Sequence, residues 1–215
     1  MSYYSRFVFP YIMERFSAGP NVDEQRRSTL APAQGEVLEI GFGTGRNFSH
    51  YPSRETHVTA VDCEVLSPQQ VKRRIAGAPV PVTTIYRNAS NGLPFANNSF
   101  DTVVTTWTLC SIRDVIPALT EVRRVLRHDG SYLFLEHGGS DDPRVAQRQR
   151  VLIPIVRTIG AGCQMNRRID DLVSRSDLRI RSLLIRPIIY ATFEGLHSSQ
   201  EAWRRLIRAG YPTRC

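Results

Sequence analysis

The segment Glu39-Ile-Gly41-Phe-Gly43-Thr-Gly45-Arg-Asn47 sets three glycines at alternate positions, with an acid before them and an amide after. Glycine permits a tight turn and lets a ligand approach the backbone. The spacing separates this turn from two better-known ones. A dinucleotide fingerprint, G-x-G-x-x-G, aims a helix N-terminus at a pyrophosphate; here the third glycine comes one residue early and Arg46 follows it. The lysine-bearing G-x-x-x-x-G-K-[S/T] phosphate loop does not occur. Asp62 stands 17 residues beyond Gly45, directly after the apolar run Val58–Val61. An acid at such a strand end can accept both hydroxyls of a ribose, and Cys63 and Glu64 beside it can shape the same pocket. Farther on come Asn88-Ala89, Thr105-Thr106-Trp107-Thr108-Leu109-Cys110-Ser111 and Glu136-His137. His137 closes an apolar run and titrates near neutral pH in its ordinary state, which makes it the candidate general base.

These residues need elements to position them. Glu36–Ile40, Val58–Val61, Val82–Tyr86, Phe100–Thr106 and Ser131–Glu136 are short and rich in β-branched residues, as strands are. Arg46–Tyr51 is expected to open a short helix. Ser67–Ala76 carries a helix start, with Ser67 as cap and Pro68 in the first turn. Val115–Leu126 repeats apolar residues at helical spacing, and His128–Gly130 reads as a turn. An Arg-rich helix is expected near 143–159, strands near 178–185 and 187–194, and a last amphipathic segment over 199–209. Strands alternating with helices imply a parallel sheet with right-handed crossovers. The turns that follow its strands then surround one pocket.

The pattern E-x-G-x-G-x-G resembles the cofactor-binding motif of class I methyltransferases that use S-adenosylmethionine (SAM). The stretches Asn88-Ala89…Leu93-Pro94-Phe95…Ser99-Phe100-Asp101 and Glu121-Val-Arg-Arg-Val-Leu126 follow in that family's order, so the resemblance covers roughly residues 35–137. It implies an α/β, Rossmann-like sheet, mostly parallel with an antiparallel last strand, and helices on both faces. It implies a helical lid over residues 1–34 and a SAM-binding domain over 35–215. For the site it implies a cradle of Gly41, Gly43, Gly45 and Asn47, with Glu39 toward the methionine amino group and Asp62 on the ribose beside Cys63. Asn88, standing where relatives carry an acid, would accept from the adenine amino group and Ala89 would offer its N–H; Thr106 and Leu109 would wall the methionine end. The motifs G-T-G-x-N (to Asn47), T-L-C-S (Thr108–Ser111), E-H (Glu136-His137) and G-C-x-x-N-R (Gly162–Arg167) resemble a branch of thiol S-methyltransferases and ubiquinone/menaquinone C-methyltransferases. The membrane-anchoring leader of the thiol enzymes has no counterpart in these motifs.

The expected activity is methyl transfer to O, S or C of a small apolar or aromatic acceptor. Two other readings stand beside it: a nucleic-acid or protein methyltransferase, and a non-catalytic SAM-binding protein. The net charge of +8 suits a polyanion, but the basic residues are nearly all arginine, with Lys72 the only lysine, and they are scattered. The N/D-P-P-aromatic tetrapeptide that grips a base amine does not follow the fourth strand, and no appended RNA-binding module is visible. No apolar run reaches the roughly 20 residues of a membrane span, and a cytoplasmic protein is expected. Cys63, Cys110, Cys163 and Cys215 form no C-x-x-C pair, and no local His/Cys spacing suggests zinc, so no metal is expected.

Overall fold

The computed structural model describes residues 9–180, apart from 17, 54, 55, 65, 161, 177 and 179. Two helices lead, α1 (Phe9–Phe16) and α2 (Pro20–Leu30). The order is then β1 (Glu36–Ile40), β2 (His57–Asp62), α3 (Pro68–Ala76), β3 (Val82–Tyr86), β4 (Phe100–Thr106), α4 (Val115–Val125), β5 (Leu126–Leu135), α5 (Pro143–Ile159) and α6 (Ile169–Ser174). Single 3-10 turns cover Phe48–His50 and Ala89–Asn91.

The strands form one sheet in the order β3-β2-β1-β4-β5. The chain runs outward from β1 to β3, then crosses back to β4, so the order reverses between β1 and β4. Ligands in open α/β sheets bind at such a reversal, beyond the carboxyl ends of the strands. The alternation of side chains along each strand feeds two cores. Val37, Val58, Ala60 and Val104 pack on one face with Phe42, Phe48 and Val71. Leu38, Val61 and Val103 pack on the other with Ala118, Val122 and Val125 of α4. Helices therefore cover both faces, as expected for a parallel sheet.

All four pairings among the described strands are parallel. The expected antiparallel last strand is thus not borne out: every described strand after β1 is reached by a crossover, which returns the chain in the same direction. The strands expected near 178–185 and 187–194, and the segment 199–209, lie outside the described residues. Three local expectations also change. Arg46–Tyr51 makes only a 3-10 turn. Ser67 precedes α3, but at φ 48° and with no side-chain cap bond. His128–Gly130 is no separate turn. Phe100 pairs with Leu126 and Thr102 with Ser131, so residues 127–130 are absorbed in an irregularity of β5.

Candidate active site

The three glycines of the turn after β1 do different work. All have positive φ, at 79°, 56° and 81°. A Cβ at Gly41 would strike the Thr108 side chain, and one at Gly45 would lie 2.6 Å from the Phe48 ring. A Cβ at Gly43 would meet nothing within 4 Å. Gly41 and Gly45 therefore let the turn pack, while Gly43 faces open space in which a ligand can approach the backbone. Asp62, at the end of the neighbouring β2, holds this turn: its Oδ2 accepts the Gly43 N–H at 2.8 Å and its Oδ1 the Glu64 N–H at 3.1 Å. The backbone N–H and the thiol of Cys63 bond the same carboxylate, which has about four acceptor positions in all, so a diol there displaces the thiol or shares an oxygen with it. Burial raises the Asp62 carboxyl above its ordinary range, against hydrogen bonds from Gly43, Glu64 and Cys63 that lower it.

Beneath the turn lies a buried polar cluster. Glu39 is 1% exposed. Its Oε1 accepts from Asn47 Nδ2 at 2.9 Å and its Oε2 from Tyr51 Oη at 2.8 Å. Asn47 Nδ2 also donates to Thr106 Oγ1 at 3.0 Å, and Asn47 Oδ1 accepts from Arg26 Nη1 at 2.5 Å. Burial pushes Glu39 up to about 7, with Tyr51, Asn47 and Arg26 pulling the other way. Burial likewise brings the Arg26 guanidinium down to about 10. Arg26 comes from α2 and stacks 4.4 Å over the Trp107 ring. Two buried donors here, Arg26 Nε and Trp107 Nε1, have no hydrogen-bond partner among the described residues. Trp107 also sits at φ 50°, a strained position for a bulky residue. Orphaned donors and backbone strain beside an open glycine turn fit a site that receives an anionic, hydrogen-bonding group.

The wall after β4 is held by Glu136. Its buried carboxylate accepts the N–H groups of Thr108 at 3.0 Å, Leu109 at 2.9 Å and Cys110 at 3.3 Å. Burial raises this carboxyl too. Leu109 spends its side chain on the core with Val115, Leu119, Ile169 and Val173. His137 lies with its ring centroid 6.1 Å from that of Trp107 and its Nδ1 3.7 Å from Cys163 Sγ. Asn88 is exposed and caps the next turn, accepting from Ser90 N at 2.9 Å, while Ala89 is buried. Cys63 is exposed, and partial burial beside Asp62 and Glu64 pushes its thiol up to about 11. Glu121 and Arg124 of α4 brace the segment between: Glu121 accepts the Leu93 N–H, and Arg124 donates to the Leu93 and Phe95 carbonyls.

The structure gathers Glu39, Gly41, Gly43, Gly45, Asn47, Asp62 and Thr106 around the turn after β1, with Cys63 next to Asp62. Asn88 and Ala89 stand at the end of β3, beyond β2. Sequence reasoning missed Arg26, Tyr51 and Glu14, and it reached Trp107 only as one member of the stretch Thr105–Ser111. Arg26 and Arg27 are indistinguishable in the sequence, yet Arg26 is buried and Arg27 pairs with Glu24 at the surface. Glu14 of α1 reaches the turn itself, accepting from Thr44 at 2.6 Å, Arg46 at 2.7 Å and Arg74 at 2.8 Å.

The fold and site define an open α/β protein with a ligand pocket at the reversal of strand order, and comparison with known proteins defines it further. The methyltransferase-domain family matches residues 38–134. Thiol S-methyltransferase TMT1B of Rattus norvegicus is 32% identical over 177 residues, covering 74% of this chain and 70% of that one. A ubiquinone/menaquinone biosynthesis C-methyltransferase, UbiE of Desulfotalea psychrophila, is 31% identical over 107 residues, 49% of this chain and 42% of that one. In three dimensions, a SAM-dependent methyltransferase from Aquifex aeolicus superposes with a TM-score of 0.51 at 14% identity, over 70% of this chain and 87% of that one. The chain belongs to the SAM-dependent methyltransferases. It is an enzyme, and its cofactor is SAM.

Proposed function

We propose that this enzyme transfers the SAM methyl group to the sulfur of a small apolar thiol. The observation that carries this is the similarity to a thiol S-methyltransferase over 177 residues, well beyond the matched domain at 38–134. The residues outside that domain supply the second wall of the site, from Glu136 to Arg167. When bound, SAM supplies a sulfonium-activated methyl carbon. The protein's part is to bind, align and exclude water.

In this reading Gly43 lets the cofactor lie against the turn, and Asp62 accepts from the ribose hydroxyls in place of the Cys63 thiol. Arg26, with its unpartnered Nε, binds the carboxylate of the methionine end, assisted by Trp107 Nε1. Glu39 acts one step back: both its oxygens are taken by Asn47 and Tyr51, so it positions Asn47. Asn88 and Ala89 serve the adenine end, beside Cys63. Thr106 borders the methionine end, and Leu109 shapes the wall through its backbone. Helices α1 and α2 form the lid, latched by Glu14. A thiol acceptor reacts through its thiolate fraction. His137, the base suggested by its place after β5, is instead given over to the sulfurs that its Nδ1 faces.

The reading is tested by supplying labelled-methyl SAM to the enzyme with alkyl thiols, phenols and quinols in parallel. Thiols should be methylated at sulfur at least tenfold faster than the others. Transfer to quinol carbon or phenol oxygen alone would refute it.

A further inference from the structure

Cys110 and Cys163 have no part in the reading above, yet with His137 they meet at one point. Cys110 lies in the loop after β4, His137 follows β5, and Cys163 sits in the bend after α5. Cys110 Sγ is 3.4 Å from Cys163 Sγ and 3.9 Å from His137 Nδ1, and Cys163 Sγ is 3.7 Å from the same nitrogen. We propose that Cys110, His137 and Cys163 form a binding site for one thiophilic divalent metal ion, zinc by preference.

The triangle has the dimensions of such a site. Tetrahedral zinc, with bonds of about 2.3 Å to sulfur and 2.0–2.1 Å to nitrogen, holds its ligand atoms about 3.5–3.8 Å apart. The three atoms here lie about 2.1 Å from the centre of their triangle, so an ion just off that plane reaches all three at bonding distance. Two sulfurs and an imidazole select zinc-like ions over magnesium or calcium. Two thiolates neutralise the ion, and the Arg167 guanidinium lies close enough to feel the charge of both sulfurs and of Glu136.

The carriers of these ligands are already fixed. Glu136 holds the Cys110 N–H. Gln164 N donates to Cys110 O at 2.8 Å, and Arg167 Nη1 donates to Leu109 O and Ile112 O at 2.5 Å each. Gly162, at φ 92°, gives the bend its direction beside Cys163. Cys110 and Cys163 are both buried and both free thiols. Coordination through Nδ1 places the imidazole proton on Nε2. Three protein ligands leave one tetrahedral position for an exogenous donor.

The test uses the full, tag-free chain, reduced and stripped with a chelator, then titrated with Co2+ and with Zn2+. One Co2+ per chain should bind, with sulfur-to-cobalt charge-transfer absorption and the visible bands of a tetrahedral ion, and Zn2+ should displace it. Cys163→Ser, Cys110→Ser and His137→Gln should each reduce the charge-transfer band or abolish uptake. Because Cys110 is deeply buried, circular dichroism and SAM calorimetry identify variants that remain folded, and Cys163→Ser carries the test if Cys110→Ser does not fold. Absence of uptake overturns the proposal, as does a cobalt spectrum unchanged in folded Cys163→Ser. Quantitative closure of Cys110 and Cys163 into a disulfide that, once reduced again, binds no metal overturns it as well.

Discussion

Replacing Glu14 by glutamine tests whether α1 is latched to the glycine turn by charge. Burial alone would raise the Glu14 carboxyl, but hydrogen bonds from Arg74, Thr44 and Arg46 outweigh it and hold the group down to about 2, against an ordinary 4.5. That separation corresponds to about 3 kcal/mol. The Glu14 and Arg74 side chains keep 18% and 27% of their exposure, so solvent screens part of the attraction. About 1–2 kcal/mol is left to the latch. Glu14→Gln should therefore raise the population of undocked α1 by about 5–30-fold. Hydrogen exchange of the amides in Phe9–Phe16, corrected for intrinsic rates, reads this directly. The pH dependence has a definite sign. A depressed carboxyl contributes fully above about 4.5 and loses its contribution as pH falls toward about 2, so wild-type protection should fade over that window and the variant's should not. Equal protection in the two proteins at pH 7 would refute the latch.

Three further substitutions probe the site. Asp62→Ala should weaken SAM binding by more than about tenfold in calorimetry, through lost charge-assisted hydrogen bonds; unchanged affinity would remove Asp62 from the ribose. Arg26→Ala should cost SAM affinity about tenfold or more while its demethylated product, which keeps the carboxylate, loses a similar factor; a loss confined to one of the two would contradict carboxylate binding. Glu39→Gln should flatten the pH dependence of stability. Burial raises the Glu39 carboxyl to about 7, so its contribution is full below about 4.5 and is lost as pH rises through about 7, up to about 3 kcal/mol. Denaturant melts at pH 5 and pH 8 should differ less in the variant than in the wild type, and an equal difference would place the titration elsewhere.

The sequence by itself determined the strand-and-helix alternation, because β-branched runs and one amphipathic stripe carry it locally. β3 and β4 match their expected bounds residue for residue, and α3 and α4 differ by one residue at most. It also determined the glycine turn and Asp62, since both depend on residue type at the end of a strand. A glycine needed at φ 56° is visible as a glycine. The His128–Gly130 turn was misread because its residues suit a turn, whereas pairing with β4 draws them into a strand.

Only the tertiary structure decided which charged groups enter the site. Arg26 and Arg27 are neighbours of one type on a polar helix; packing against Trp107 buries one and leaves the other in water. Glu39 is visible as an acid, but Asn47 and Tyr51, which the fold brings onto its two oxygens, turn it from a ligand contact into a support. The same holds for Cys110, His137 and Cys163. Their separations along the chain match no local metal signature, and the sulfurs and the imidazole converge because β4, β5 and the bend after α5 end at one edge of the sheet.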